Sequence, residues 1–154
     1  MDRMHLLFQY CPKLVVMNHD KTRVLLCKRK GEADYDGVFS LIGGKMEHTD
    51  ANIIEALRRE KSEEVGTGFH IRVLPYPSID VYFKKSDGMH MILPHFYAEH
   101  LSGDIILSDE YSEWRWVLVD ELPRFAPKIE NVSWITPRLM ILGKEANPHE
   151  FVEI

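Results

Sequence analysis

The residues with the clearest chemical potential lie in one short stretch, Arg59-Glu60-Lys61-Ser62-Glu63-Glu64-Val65-Gly66. Their surroundings predict a helix from about Asp50 to Val65, capped by Asp50 or Thr49, whose side-chain oxygens can accept the free amides of the first turn. Gly66 ends it in the usual C-terminal manner. At about 100° per residue, Glu64 falls between Ile53 and Leu57 on the apolar arc, Glu60 at its edge, Glu63 further round and Arg59 beyond. A solvated charged face is the ordinary reading of a Glu-rich helix, but two features oppose it. Glu60 and Glu64 are like charges one turn apart, which costs roughly a few tenths of a kcal/mol. A carboxylate turned toward the core costs more, unless it is paired or binds a metal. Arg59 can pair with Glu63 four residues on, which leaves Glu60 and Glu64 unneutralised. Three carboxylates on one flank supply the oxygen ligands that a hard cation such as Mg²⁺ prefers.

Strands must position this helix. Leu14–Met17 and Arg23–Arg29 read as a hairpin around the polar turn 18–21, and Val38–Ile42 as a short strand ending at Gly43-Gly44. After the helix the period changes to two, predicting strands over Ile71–Leu74, Ile79–Phe83, Met91–Tyr97 and Trp114–Val119. Ser86-Asp87-Gly88 is a hairpin turn. A helix is expected over Asn131–Lys144. The order of strands, helix, strands, helix predicts an α+β domain with helices packed on a mixed sheet.

The composition fits one globular domain over residues 1–154. The chain is 45% hydrophobic and 28% charged, with a formal net charge of −5. That charge argues against a general DNA-binding role and against a polybasic membrane anchor. No stretch approaches the roughly 20 apolar residues of a membrane span. Met1-Asp2-Arg3-Met4-His5 carries no apolar signal segment, so a cytoplasmic location is expected. Cys11 and Cys27 form neither a disulfide framework nor a zinc pattern. His90, His95 and His100, five residues apart, do not share one strand face, so they do not read as a metal site.

The stretch Gly43-Gly44-Lys45-Met46-Glu47, the helix, and Arg59 to Gly66 together resemble the box of the Nudix (MutT-like) hydrolases, G-x5-E-x7-R-E-U-x-E-E-x-G-U with U bulky and aliphatic. Every fixed position of the R-E-U-x-E-E-x-G half is present. The flanking strands and the later Trp116-Val117 strand with Asp120-Glu121-Leu122 are also similar to the family. The chain departs from the pattern in several places, among them Thr67 where the last bulky aliphatic is usual and Ile42 where proline is common. Counted from Gly44, the first acid is Asp50 rather than Glu. Eight residues separate Asp50 from Arg59 where the pattern has seven, and we place the extra residue near the start of the helix. Lys61 stands where a bulky aliphatic is usual, its stem expected to lie along the core with its head in water.

The resemblance implies the Nudix fold, a mixed sheet sandwiched between helices, and a metal-dependent hydrolase. Such an enzyme directs water onto phosphorus in a nucleoside diphosphate linked to another group, either a nucleoside triphosphate or a nucleotide derivative. Glu60 and Glu64 are then the main ligands for Mg²⁺ or Mn²⁺. Glu63 is a further ligand or orients water, and Arg59 holds the glutamates. The carbonyl of Gly43 or Gly44 adds a ligand. Glu110 or Glu113, on the acidic loop before the Trp114 strand, is the general base, and Glu47 is a weaker candidate beside the metal. Arg29 contacts phosphate. Tyr82, Phe39, Trp114 and Trp116 are candidate base-stacking or core aromatics. A homodimer using the strands between 71 and 97 is one expected assembly. The alternative reading is a non-catalytic Nudix-fold nucleotide sensor.

Overall fold

Apolar runs without polar alternation, such as Leu14–Met17, belong to strands covered on both faces, and the computed structural model, which describes residues 4–154, shows why here. Met1–Arg3, part of the segment read above for a targeting signal, lie outside the described residues. The strands among the described residues are β1 (Phe8–Tyr10), β2 (Lys13–Met17), β3 (Arg23–Arg29), β4 (Phe39–Ser40), β5 (Ile42–Gly43), β6 (His70–Val73), β7 (Ile79–Lys84), β8 (His90–Ser102), β9 (Tyr111–Leu118) and β10 (Val152–Glu153). They join in one mixed sheet. Helix α1 (Ile53–Val65) lies between β5 and β6, and α2 (Val132–Glu145) between β9 and β10.

The long strand β8 is the spine. It runs antiparallel to β6 and β7 and parallel to β1 and β2. The last two keep one register along β8 and are separated around Pro12, which has no N–H to give to a ladder. Alternation along β2 and β3 sends Leu14, Val16, Leu25 and Cys27 to the α1 side, where they meet Leu57 and Val65. Val15, Met17, Val24 and Leu26 face α2, against Ile135 and Leu139. Leu57, Val65, Ile135 and Leu139 are fully buried, at roughly 1.5–3 kcal/mol apiece, so both helices are anchored to the sheet. No helix among the described residues is long and apolar enough to cross a membrane.

Two departures from the sequence reading shape the site. The expected strand Val38–Ile42 is two short strands, β4 and β5. β2 and β3 pair with each other only at Met17 and Val24 and then diverge. The segment 39–43 fills the opening, with β4 laddered on β3 and β5 on β2. Helix α1 begins at Ile53, not Asp50. Its cap is Asn52, whose side chain accepts from the Glu55 N–H at 3.0 Å. The extra residue therefore lies in the loop ahead of the helix, and not within it.

Candidate active site

Where the sheet opens, β5 ends at Gly43, and α1 lies against it. Gly43 has φ 132°, a conformation that L side chains avoid, and a Cβ there would strike the Pro12 carbonyl. Gly44 has an ordinary φ, but a Cβ on it would lie 2.5 Å from both carboxylate oxygens of Glu60. The bare Cα of Gly44 is thus the wall against which the Glu60 carboxylate rests.

The order of exposure along α1 follows the projection: Glu64 is 3% exposed, and the side chains of Glu60 and Glu63 are 14% and 56% exposed. Glu64 Oε1 accepts the Gly43 N–H at 2.7 Å, and Oε2 accepts the Tyr111 hydroxyl. Burial still pushes its pKa up to about 8, against the opposing pulls of Lys13, Tyr111 and the Gly43 amide. Burial also raises Glu60, against Arg59 and with the help of the nearby Glu63 and Glu110 charges.

Arg59 organises the acidic flank. Its Nε and Nη2 hold both oxygens of Asp50 at 2.9 Å, and Nη1 donates to Glu60 at 2.9 Å and Glu63 at 3.3 Å. Nη2 also donates to the Lys45 carbonyl at 3.1 Å, which ties the glycine loop to the helix. A bidentate guanidinium–carboxylate pair of this kind is among the stronger polar contacts. It holds the Asp50 carboxyl down at about 2. Lys61, expected to reach water with its head, is instead buried, and burial followed by the Arg58 charge lowers its pKa.

The site opens into a cavity of about 720 Å³. Of the residues singled out from sequence, Glu60, Glu64, Gly43, Gly44, Glu110, Arg29, Glu47 and Tyr82 line it. Arg59 and Glu63 stand behind this lining. Glu113 stands outside it on β9, paired with Lys28 at 3.7 Å and Arg115 at 3.3 Å. Arg29 pairs with Glu32 at 3.4 Å and leaves its Nε buried without a partner. Phe39 is buried against Phe125, and Trp116 packs near Phe69 and His100.

Three residues have parts in the site that the sequence reading did not give them. Asp50, read there as a helix cap and as the first acid of the box, anchors Arg59. Tyr111 opens β9 and reaches Glu64 across the sheet opening. Lys13, a charge at the head of an apolar strand, is 9% exposed and donates to the Gly43 carbonyl at 3.2 Å. Of Tyr111 and Lys13, only Lys13 had a local signal, because a buried strand rarely starts with an unneeded lysine. His95, beside Lys13 on β8, is 6% exposed and contacts the Ile79 carbonyl through Nδ1 at 3.1 Å.

Among the described residues, no group of three or more His, Cys, Asp or Glu side chains is arranged to enclose a metal ion. The donor chemistry nevertheless fits Mg²⁺ or Mn²⁺, because Mg²⁺ is usually bound through one or two carboxylates together with waters and substrate phosphates, and not by an all-protein cage. Glu60 Oε2 makes no protein hydrogen bond, and each Glu64 oxygen keeps a second lone pair. Glu60, Glu63 and Glu110 place mutually repelling negative charge here, which a divalent cation would relieve.

Comparison with known proteins bears on the family and the fold. The NUDIX domain family model matches residues 13–139. No curated protein matches the chain by sequence. Among solved structures, the chain is similar to a MutT protein from Methanosarcina mazei Go1 (TM-score 0.73, 21% identity, covering 93% of this chain and 100% of that one). It is also similar to an Ap4A hydrolase from C. elegans (TM-score 0.72, 13% identity, 90% and 99%). A third likeness is to the NUDIX domain of Shewanella oneidensis NrtR, solved with ADP ribose (TM-score 0.68, 15% identity, 89% and 90%). At these identities the likeness is one of fold.

Proposed function

The chain belongs to the Nudix family, and from that premise we propose that it is a metal-dependent hydrolase that cleaves the diphosphate linkage of a nucleotide substrate. The observation that carries this reading is the pair of cavity-lining carboxylates, Glu60 held from behind by Arg59 and Asp50 and Glu64 held by the Gly43 N–H and the Tyr111 hydroxyl, within a complete Arg-Glu-x-x-Glu-Glu motif.

In this reading Glu60 and Glu64, with a Gly43 or Gly44 carbonyl and Glu63 in support, hold Mg²⁺ or Mn²⁺. The ion supplies charge neutralisation of the diphosphate and acidification of water. The chain's own residues do the rest. Gly43 N–H and the Tyr111 hydroxyl fix the Glu64 carboxylate, so it need not reorganise during the reaction. Lys13 and Arg29 present positive charge to the diphosphate from the cavity wall. Glu110, exposed on the loop before β9 and close enough to raise the pKa of Glu60, takes the proton as water oxygen bonds to phosphorus and the bridging P–O bond breaks. The aromatic and apolar side chains of the cavity receive the nucleoside.

Replacing Glu60 by Gln tests the assignment, since it keeps shape and removes charge. Turnover on a panel of nucleoside triphosphates, nucleotide sugars, dinucleoside polyphosphates and ADP ribose with Mg²⁺ or Mn²⁺ should fall at least about a hundredfold, with the fold kept. Undiminished turnover would remove the metal assignment.

A further inference from the structure

Strand β7 has one partner. It pairs with β8 and with no other strand among the described residues, so its far edge faces outward. The turn beyond it fixes which main-chain groups lie on that edge. Lys85 N–H donates to the Met89 carbonyl, and the Lys85 carbonyl accepts from the Gly88 N–H, each at 2.9 Å, so both main-chain groups of Lys85 turn toward β8. Along an antiparallel strand these groups alternate in direction. Ile79, Val81 and Phe83 therefore face β8, and Asp80, Tyr82 and Lys84 face away from it. Pro94 agrees with this phase, because it stands opposite Asp80 and has no N–H to exchange with it. The next outward N–H, that of Ser86, donates to Asp34 Oδ1 at 3.2 Å and closes the row. The open edge thus runs from Asp80 to Lys84.

The side chains of the same three residues are exposed, while those of Ile79, Val81 and Phe83 are half-buried. Tyr82 is 54% exposed, although its hydroxyl lies 2.5 Å from His90 Nδ1 and the Phe8 ring stands edge-on to it at 6.0 Å. Phe8 is itself 45% exposed. A row of unpaired main-chain groups beside exposed aromatic rings is a template for one more strand.

The sequence of the edge says which strand. Asp80-Val81-Tyr82-Phe83-Lys84 is its own complement. Laid antiparallel against a second copy with Tyr82 facing Tyr82, each Asp80 faces Lys84 of the partner subunit. In this register every outward residue of β7 meets an outward residue, and a shift by two leaves one on each chain without a partner. Neither Asp80 nor Lys84 makes an ion pair among the described residues. Charges on an edge strand also serve to repel other strands, but here the facing charges are opposite. We propose that β7 pairs with β7 of a second copy about a two-fold axis at Tyr82, joining two sheets into one, with an Asp80–Lys84 ion pair on each side of the axis. The contact is isologous and closes at two copies. Val81 and Phe83 alternate with the paired residues and line the cavity, so the dimer braces one wall of each cavity.

Sedimentation equilibrium of the full chain tests this with wild type, Asp80→Lys, Lys84→Asp and the double variant. Wild type should be mostly dimeric at about 100 µM. Each single variant sets like charges face to face on both sides of the axis and should weaken the dimer at least about tenfold. Circular dichroism should stay unchanged, since both side chains are exposed. The double variant restores opposite pairs and should return to within about threefold of wild type. An equimolar mixture of the two single variants should form heterodimers at a concentration where neither dimerises alone, which a mere structural effect of either substitution would not produce. A wild type that stays monomeric at about 100 µM overturns the proposal. So do single variants that dimerise as wild type does, which would place the contact on another surface, and a mixture that does not recover. A monomeric wild type whose Lys84→Val variant dimerises would make the lysine a guard against pairing and overturn it equally.

Discussion

Substituting alanine at Gly44 separates the fold from the chemistry more cleanly than deleting a carboxylate does. Gly44 has an ordinary φ, so alanine is allowed there without backbone strain. The new methyl carbon would lie 2.5 Å from Glu60 Oε1 and Oε2, whereas ordinary contact begins near 3.4 Å. Something must move by about 1 Å. The atoms in the way are the end of a flexible side chain, so Glu60 moves and the backbone does not. Stability should therefore change little, or rise by about 0.4–1 kcal/mol through the less flexible unfolded chain. A displacement of about 1 Å in a group that positions the reaction costs on the order of a hundredfold in rate. The expected variant melts at or above the wild-type temperature and has kcat/KM reduced about a hundredfold in Mg²⁺. The neighbouring Gly43→Ala is the contrast. There the methyl meets the Pro12 carbonyl and stands 2.9 Å from Lys13 Cα, both backbone, at a φ that alanine resists. That variant should lose both stability and activity. Wild-type turnover in Gly44→Ala would show that Glu60 need not rest against this wall. A lowered melting temperature in it would refute the packing argument.

Other expectations follow from the same geometry. Tyr111→Phe leaves Glu64 Oε2 without its donor and should cost about 1–3 kcal/mol in urea unfolding of the metal-free protein, with Mg²⁺ recovering part of the loss. Burial lowers His95 to about 4 from an unfolded value near 6.5, against hydrogen bonds to Ile79 and Leu93, with Lys13 adding to the lowering and Asp80 opposing it. The folded state then binds fewer protons at His95 between those values, so the contribution of His95 is fully present above pH 6.5 and is lost as pH drops toward 4, by up to on the order of 3 kcal/mol. Because the raised Glu64 titrates in the opposite sense over part of this range, the slope is read from the difference in denaturant stability between wild type and His95→Gln at several pH values, which should shrink as pH falls from 6.5 toward 4. Glu110→Gln should lower turnover about a hundredfold as expected of a lost general base, while Glu113→Gln, on a residue outside the cavity lining, should leave turnover within threefold. A reversal of that order in initial-rate assays would move the base to β9.

Much of the fold can be read from local pattern, and the exceptions share a cause. The hairpin of β2 and β3, the extent of β7 and the presence of both helices follow from runs and periods in adjacent residues. The division of 38–42 into β4 and β5 does not, because it reflects the divergence of β2 from β3, a property of the whole sheet. The extension of β8 to Ser102 is likewise set by its partners, since its second half is laddered on β6 and β2. Strands β1 and β10 are too short to show a period, and each depends on a pairing distant in sequence. In the site, the burial order of Glu64, Glu60 and Glu63 is a consequence of helical periodicity. The contributions of Lys13 and Tyr111 depend on pairings tens of residues away, for which no spacing rule exists.

The altered first half of the box shows how the local rule and the fold are reconciled. Asp50 is one methylene shorter than the glutamate of the pattern and one residue further from Arg59, and either change alone would be expected to misplace the carboxylate. The structure absorbs the extra residue in an extended stretch, with Asn52 at φ −163° and ψ −179°, before the helix begins at Ile53. The loop is steadied from within, because the Asp50 carboxylate also accepts the Glu47 N–H at 2.8 Å. Asp50 still meets Nε and Nη2 of Arg59 at 2.9 Å, in the fork geometry that the guanidinium favours. Arg59 is then free to direct Nη1 at Glu60. Motif spacing counts residues along the chain, whereas the carboxylate pair depends on where the side-chain oxygens end up. Here a longer backbone path and a shorter side chain bring those oxygens to Arg59.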